Sequence, residues 1–434
     1  MKEKLKAFFE NKKVLILGFG REGRSTLELI KDFDCEIGIS DQNPNITDDI
    51  KRYKLYCGKN YLDAIKDYDI VMKTPGIALL DKISAEDKEK ITGQTDLFLR
   101  FCPNYTIGVT GTKGKSTVSS LIVHILNYCG KNAVLIGNIG IPPLSAVDAL
   151  RQDTTVVMEM SCHQLEYIKA SPKTALLLNV YEEHLDHYVD FNAYKAAKEN
   201  IYRYQSSSSL LIYNKDLQDR EIASLPSKKI TASMDEKADI YIDDNGIFIE
   251  GQRISCEMLA PKLEGKHNLY NIAAALCAVL HQGCDLDKAI EAVSSFNGLE
   301  HRMEFVRLVN GVKFINDSIS TIPLATINAV NTFNADTVII GGMDRGINYD
   351  ILVDFFNRGN VENIICLPYS GYRIADMLND RANVYKVKDL EEAVQKAYEA
   401  AKHCCVLSPA AASYGFYKNF EERGRHFKEL VNKL

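Results

Sequence analysis

The chain has no tryptophan, no CxxC pair among its 11 cysteines, no basic run, and no apolar stretch long enough to cross a bilayer. The missing tryptophan bears on no function; the other absences each exclude something. Unpaired cysteines set in apolar stretches, such as Cys277 in AAALCAV, read as reduced core residues of a cytosolic protein. A net charge of −6 without a cationic cluster argues against nucleic acid as a partner and favours a small-molecule substrate. Runs such as VLIL at 14–17 and ALLLNV at 175–180 fall far short of the roughly 20 residues of a membrane helix. The opening MKEKLKAFFENKK has neither a signal-peptide core nor a cleavage site, so a cytoplasmic protein is expected, with a monomer as the default.

What is present is an ordinary globular composition: 434 residues, 46% apolar and 25% charged, enough for two to four domains. KVLIL, CEIGISD and DIVMKTPGI read as strands around the helical REGRSTLELIKDF, a βαβ alternation that implies a parallel sheet. A break near 94–104 precedes a second strand–loop–helix, TIGVT followed by GTKGKSTVSSLIVHIL. AVLIG, TTVVMEMS, TALLLNV and SSLLIYN continue it as strands, ADIYIDDNGIFIEGQRI reads as a hairpin, and KHNLYNIAAALCAVLHQG as a helix stopped at Gly283. From 299, VRLVNGVKFIND suggests a hairpin at Asn310-Gly311, and TVIIGG, NIICLP and HCCVLSP alternate with helices. The expectation is an α/β protein of three domains: 1–99 Rossmann-like, 100–298 a central phosphate-loop ATPase-like parallel sheet, and 299–434 again Rossmann-like.

Two glycine loops compete for a nucleotide. GFGREG at 18–23 fits G-x-G-x-x-G after a strand, and Asp41 lies where a ribose-binding acid would sit. Such a loop suits a dinucleotide or another diphosphate at a helix N-terminus, or is merely a tight packing turn. GTKGKST at 111–117 is the more specific signal. Gly111, Thr112, Lys113, Gly114 and Thr117 frame a loop whose amides can approach phosphate, Lys115 can bridge the outer phosphates, and Ser116 can ligate Mg²⁺. Glu159 closes a strand, where a carboxylate could reach the ion, and His184 follows another strand end, with Asp186 and His187 as weaker candidates. Asn268 and Asn271 share a helical face, read either as a helix N-terminal cap or as a ligand contact. Lys198 in YKAAKENIY reads by itself as a surface helix lysine.

GVTGTKGKST, EMSCHQLE, NVYEEHLDHY, YKAAKENIY, GKHNLYNIAAA, FNGLEHRMEFV, FINDS, GGMDRG and LSPAAASYGFYKNFEERG, in this order from 108 to 424, together resemble the Mur ligase superfamily. Within it the likeness is to the ligases that add D-glutamate to UDP-N-acetylmuramoyl-L-alanine in peptidoglycan synthesis. GFGREGRS and KTPGI extend it into the first domain. The resemblance implies ATP with two Mg²⁺ sites, and an acyl phosphate formed on the alanine carboxylate and attacked by the amine of glutamate. It implies that Gly18, Gly20, Arg21, Asp41, Thr74, Pro75, Gly76, Asn138, Ser161 and Gln164 hold the UDP substrate. ATP would fall to GTKGKST with Asn268, Asn271, Arg302 and Asp317, and the metals to Ser116, Glu159, His184 and a carbamylated Lys198. Thr321, Arg345, Ser413 and Phe420 would meet the amino acid.

The chain departs from that pattern in its last third. Such ligases usually follow Asp-Ser with Lys-Ala-Thr-Asn; here DSISTIP puts Ile319 for the lysine and adds Ile322-Pro323. Arg345 stands where lysine is common, and Gly415 where aspartate is often found. These changes leave L-glutamate or another amino acid as an alternative, and a degenerate UDP-sugar-binding protein without activity as a further one. A nicotinamide-dependent dehydrogenase rests on GFGREG alone, and a folate polyglutamate ligase normally lacks the first domain.

Overall fold

The computed structural model describes the whole chain except residues 45, 47–49, 51, 80–81, 184–186, 244, 260–262, 264 and 380–382. Three mostly parallel sheets lie in two compact units, Met1–Phe296 and Asn297–Leu434.

The first sheet of Met1–Phe296 is wholly parallel, in the order Lys54–Cys57, Cys35–Asp41, Lys12–Leu17, Ile70–Lys73, Ile91–Thr92. Val14–Leu17 are fully buried, which is why VLIL reads as an unbroken apolar run and not as an alternating one. The second sheet has nine strands. At its centre Thr106–Thr110 pairs in parallel with Thr155–Glu159 on one side and Thr174–Leu177 on the other. Its far edge is the expected hairpin, Ile240–Asp243 with Gly246–Ile249, extended by Gln252–Ser255 across a tight turn at Glu250-Gly251. The helices Lys115–Tyr128 and Lys266–Leu280 carry all-buried faces, Leu121, Ile122 and Ile125 against Ala273, Cys277 and Val279 among others, in one core with the sheet.

A second core runs from the first sheet to the second: Leu97 and Phe98, on the helix Gln94–Phe101, join Val14 and Ile16 to Leu144 and Met158. The break read near 94–104 is therefore a packed helix, and the glycine loop at 18–23 lies beside the central sheet, where Arg21 reaches Gly140. This shared apolar layer is what makes Met1–Phe296 a single compact unit.

In Asn297–Leu434 six strands run in the order Glu304–Val309, Val312–Asn316, Cys404–Leu407, Thr337–Gly342, Asn363–Tyr369, Val384–Lys386. Only the first pair is antiparallel, turning at Asn310 and Gly311, both at positive φ as a two-residue hairpin requires. Pro323, one of the departures noted above, occupies the first turn of the helix Pro323–Phe333, where a missing N–H costs nothing.

Candidate functional site

The loop 111–116 lies between the central strand Thr106–Thr110 and the helix Lys115–Tyr128. Gly114 has φ +87°, and a Cβ there would come within 2.5 Å of Asn271 Oδ1, so only glycine lets the loop close against the helix Lys266–Leu280. The Lys115 ammonium is held over the loop by the carbonyls of Gly111 (2.9 Å) and Thr112 (3.0 Å). Lys113 Nζ is turned outward onto Glu183, 2.9 Å away and exposed. Ser116 is buried and Thr117 half-buried on the first turn of the helix. Asn179 braces the loop in both directions: its Oδ1 accepts from Lys113 N and its Nδ2 donates to Lys113 O. Tyr194 hydroxyl lies 2.9 Å from Thr112 Oγ1. Sequence reasoning singled out neither residue. Asn179 at a strand end was a legible signal; Tyr194 was not.

Glu159 ends the strand beside the loop, paired in register with Val109, and is 1% exposed. Its Oε1 accepts from Asn138 Nδ2 at 2.7 Å, while its buried Oε2 has no hydrogen-bond partner among the described residues. A buried carboxylate oxygen left unpaired is costly unless a cation completes it. The donor set of Glu159 and Ser116 therefore fits a hard divalent ion of the Mg²⁺ kind. Asn138, assigned above to the UDP substrate, spends its amide on orienting that carboxylate.

Lys198 corrects the surface expectation. The helix Phe191–Arg203 buries Tyr194, Ala197, Lys198 and Ile201 on one stripe, leaving Lys198 only 1% exposed. Its Nζ donates to Gly111 O at 2.9 Å, the same carbonyl that Lys115 uses, and lies 4.8 Å from the Tyr194 ring centroid. Burial, helped by the nearby Lys115 charge, pushes its ammonium down to about 8. The Tyr194–Lys198–Ile201 spacing was the available signal that this lysine faces inward. His184 and Asp186 lie outside the described residues. His187 is buried against His163, with 4.1 Å between ring centroids, and lies 3.5 Å from Glu166.

The N-terminal loop is closely packed on its neighbours. Gly18, at φ +92°, packs so tightly on Thr74 that a Cβ would sit 2.1 Å from Thr74 Oγ1. Asp41 Oδ2 accepts from Phe19 N at 2.6 Å, so this acid caps the glycine turn itself. Gly20 is the N-cap of Arg21–Ile30, and Arg21 reaches the carbonyl of Gly140 on the central sheet's side. Pro75 is half-buried and Gly76 exposed. Ser161 and Gln164 form a capping box on the short helix Cys162–Leu165, and Gln164 Nε2 also donates to Glu22 at 2.9 Å. Beside them Lys73, with a side chain 3% exposed, pairs with Glu166 at 3.2 Å, an ion pair across the two sheets that no local pattern announces.

Asn268 and Asn271 lie one turn apart on Lys266–Leu280, whose N-cap is Gly265, so neither is the cap. Asn271 faces Gly114 and its Nδ2 donates to Asn268 Oδ1 at 3.4 Å. In Asn297–Leu434, Asp317 is 1% exposed, accepts from Met303 N (3.2 Å) and Ser408 Oγ (2.8 Å), and is pushed up to about 6 by burial, opposed in part by these bonds and by the Arg302 charge. Ser413 is buried, Thr321 half-buried and Arg345 exposed. The Phe420 ring meets His301 edge-on at 6.3 Å, and its carbonyl accepts from Ser318 Oγ. Gly415 has φ +94°, a conformation in which the aspartate common at that place would be strained.

Because burial raises the folded-state value of Asp317 above its ordinary one, its charge is a cost to the fold at neutral pH. That cost is relieved as pH falls through about 6 and is gone below the unfolded value of 3.8. Asp317→Asn is therefore expected to stabilise the ligand-free protein at pH 7 by about 1–3 kcal/mol, with the gain vanishing near pH 4. Thermal melting at both pH values checks this; equal gains at the two would contradict it.

Comparison with known proteins gives one consistent picture. Residues 109–279 match the model of the Mur ligase middle domain. UDP-N-acetylmuramoylalanine–D-glutamate ligase of Clostridium kluyveri is 33% identical, over 99% of this chain and 98% of that protein. Among solved structures, the UDP-N-acetylmuramate-alanine ligase MurC of Thermotoga maritima has a TM-score of 0.57 at 19% identity, covering 98% of this chain and 100% of that one. The MurF ligase of the same organism, in complex with ADP, has a TM-score of 0.53 at 15% identity, covering 99% and 97%.

Proposed function

Since this chain belongs to the Mur ligase family, we propose that it joins D-glutamate to the alanine carboxylate of UDP-N-acetylmuramoyl-L-alanine at the expense of ATP, as a cytoplasmic step of peptidoglycan synthesis. Residues 1–99 hold the uridine diphosphate end of the substrate, 100–298 hold ATP, and 299–434 bring the amino acid. The observation that carries the reaction class is that Lys115 and the buried Lys198 share one loop carbonyl, with the unsatisfied Glu159 Oε2 at the end of the adjacent strand.

A carboxylate has no leaving group that an amine can expel, so it must first accept the γ-phosphoryl group. The obstacle is the approach of two anions. Lys115, poised over the loop, and the amides at the start of Lys115–Tyr128 take up charge on the outer phosphates. Ser116 and Glu159 would hold one Mg²⁺; Lys198, as a carbamate, with His184 would hold a second. The ions supply further neutralisation of phosphate charge. Burial makes the amine available for carbamylation, because a lysine held near 8 offers far more neutral amine to carbon dioxide than an ordinary one, and a bound cation would offset the cost of the buried carbamate anion. The glycine loop at 18–23, the Thr74 turn and Arg21 receive the diphosphate, an anion suited to the N-terminus of Arg21–Ile30.

The test is phosphate release with UDP-N-acetylmuramoyl-L-alanine, ATP and each enantiomer of glutamate. Release with the D-form alone is expected. Release with the L-form alone would overturn the assignment in favour of the second reading, which the replacement of a lysine by Ile319 keeps open.

A further inference from the structure

Away from the phosphate loop, three metal-ligating side chains meet where the outer hairpin of the central sheet touches the end of a helix. Cys277 lies in the last turn of Lys266–Leu280 and His281 is its C-cap, with the His281 amide donating to Cys277 O at 3.2 Å. Four residues apart, their side chains share one face of the helix. Glu250 comes from the turn between Gly246–Ile249 and Gln252–Ser255. A thiol sulfur, an imidazole nitrogen and a carboxylate oxygen of these three residues lie within 4.8 Å of one another. Among the described residues, no other group of three or more cysteine, histidine and acidic side chains brings its ligand atoms together in this way.

Cys277 is fully buried, whereas Glu250 and His281 are exposed. The sulfur is the floor of the group, and the other two ligands form its solvent side. His281 Nε2 lies 2.8 Å from Glu250 Oε2, and Lys228 Nζ donates to Glu250 Oε1 at 3.0 Å. The proton shared by the imidazole and the carboxylate holds the place that a metal ion would take. A tetrahedral ion with bonds of about 2.0–2.3 Å separates neighbouring ligands by about 3.3–3.6 Å, so a small side-chain rotation closes the group onto it. One sulfur, one imidazole nitrogen and one carboxylate oxygen select a borderline ion of the Zn²⁺ kind over Mg²⁺, which takes oxygen ligands. The backbone favours a cation here as well. The last carbonyls of Lys266–Leu280 present the negative end of the helix dipole. Glu250 sits at φ +46°, a left-handed conformation better suited to glycine or asparagine, so a glutamate is retained there at a cost.

We propose that Glu250, Cys277 and His281 bind one divalent ion of the Zn²⁺ class, with water as the fourth ligand. As the metal–sulfur bond forms, the thiol proton passes to solvent. The ion clips the hairpin turn to the C-terminal end of Lys266–Leu280. Asn271, on the same helix, faces Gly114 and lies about 9 Å before Cys277 at about 1.5 Å per residue. The clip therefore fixes a helix that borders the phosphate loop, and it leaves Ser116 and Glu159 to Mg²⁺. It does not depend on which amino acid the chain adds.

The test uses tag-free full-length protein, stripped with a chelator and kept in excess Mg²⁺, with Co²⁺ and Zn²⁺ as probes. One equivalent of Co²⁺ is expected to give a thiolate-to-cobalt charge-transfer band. One equivalent of Zn²⁺ should abolish that band and raise the melting temperature by about 5 °C. Both responses are lost in Cys277→Ala. His281→Ala, at the exposed helix end and so without damage to the core, weakens Zn²⁺ binding about 100-fold, and Glu250→Gln about 10-fold. Lys228→Gln, which frees Glu250 Oε1, tightens it about 3-fold. A wild type that shows no charge-transfer band overturns the proposal, and the three side chains are then only an ion pair over a core thiol. A band that persists in folded Cys277→Ala overturns it too. So does a Zn²⁺ affinity in His281→Ala equal to that of the wild type, even if Cys277→Ala fails to fold, because the ion then sits at another cysteine.

Discussion

Lys115→Met is expected to lower kcat by about 10³-fold or more while the melting temperature stays near that of the wild type. The side chain lies over the phosphate loop and bonds to the loop's own carbonyls, those of Gly111 and Thr112. Methionine preserves the stem and removes the charge, so the change falls on the transfer of the phosphoryl group, where negative charge is redistributed over the outer oxygens. The fold depends instead on the apolar face of Lys115–Tyr128, buried through Leu121, Ile122 and Ile125, which the substitution does not touch. Phosphate release at saturating ATP, with melting curves alongside, checks this. A loss of less than tenfold would mean that the phosphates lie elsewhere, and the glycine loop at 18–23 would then be the nucleotide site.

The second large effect is expected at Lys198. Lys198→Ala should cost about 10²- to 10³-fold in kcat, and Lys198→Arg about as much, because a guanidinium stays charged and forms no carbamate. The sign of the pH dependence follows from its depressed value. At pH 7 roughly 10% of a lysine near 8 is neutral, against about 0.03% of an ordinary one. Carbamate formation therefore grows as pH rises through about 8 and is lost below it. Wild-type activity in buffer stripped of carbon dioxide should fall and return on adding bicarbonate, whereas neither variant should respond. A labelled-bicarbonate carbamate resonance present in the wild type and absent in Lys198→Arg gives an observation independent of turnover. If stripped buffer leaves the wild type at full rate and no such resonance is seen, Lys198 acts as a buried cation instead.

Much of the molecule was legible from local pattern. The strands Cys35–Asp41 and Thr106–Thr110, the hairpins at Asn310-Gly311 and after Asp243, and the loop 111–117 are all set by short-range chemistry. Parallel strands read as apolar runs because both faces are covered, and the turns demand glycine or asparagine where φ is positive. What escaped was decided across the fold. Lys198 is buried because its helix lies against the central sheet, and its charge is unsettled by Lys115, 83 residues earlier in the chain. Asn179 braces a loop 66 residues away.

The order of residues by itself determined the α/β architecture, the phosphate loop and the family, since each of these depends on neighbours within a few positions or on motifs kept in sequence. The tertiary structure alone decided which charges are buried and which carboxylate oxygen of Glu159 lacks a hydrogen-bond partner among the described residues. The physical reason is that the cost of a charge is set by the dielectric and the dipoles around it, and those are supplied by segments distant along the chain.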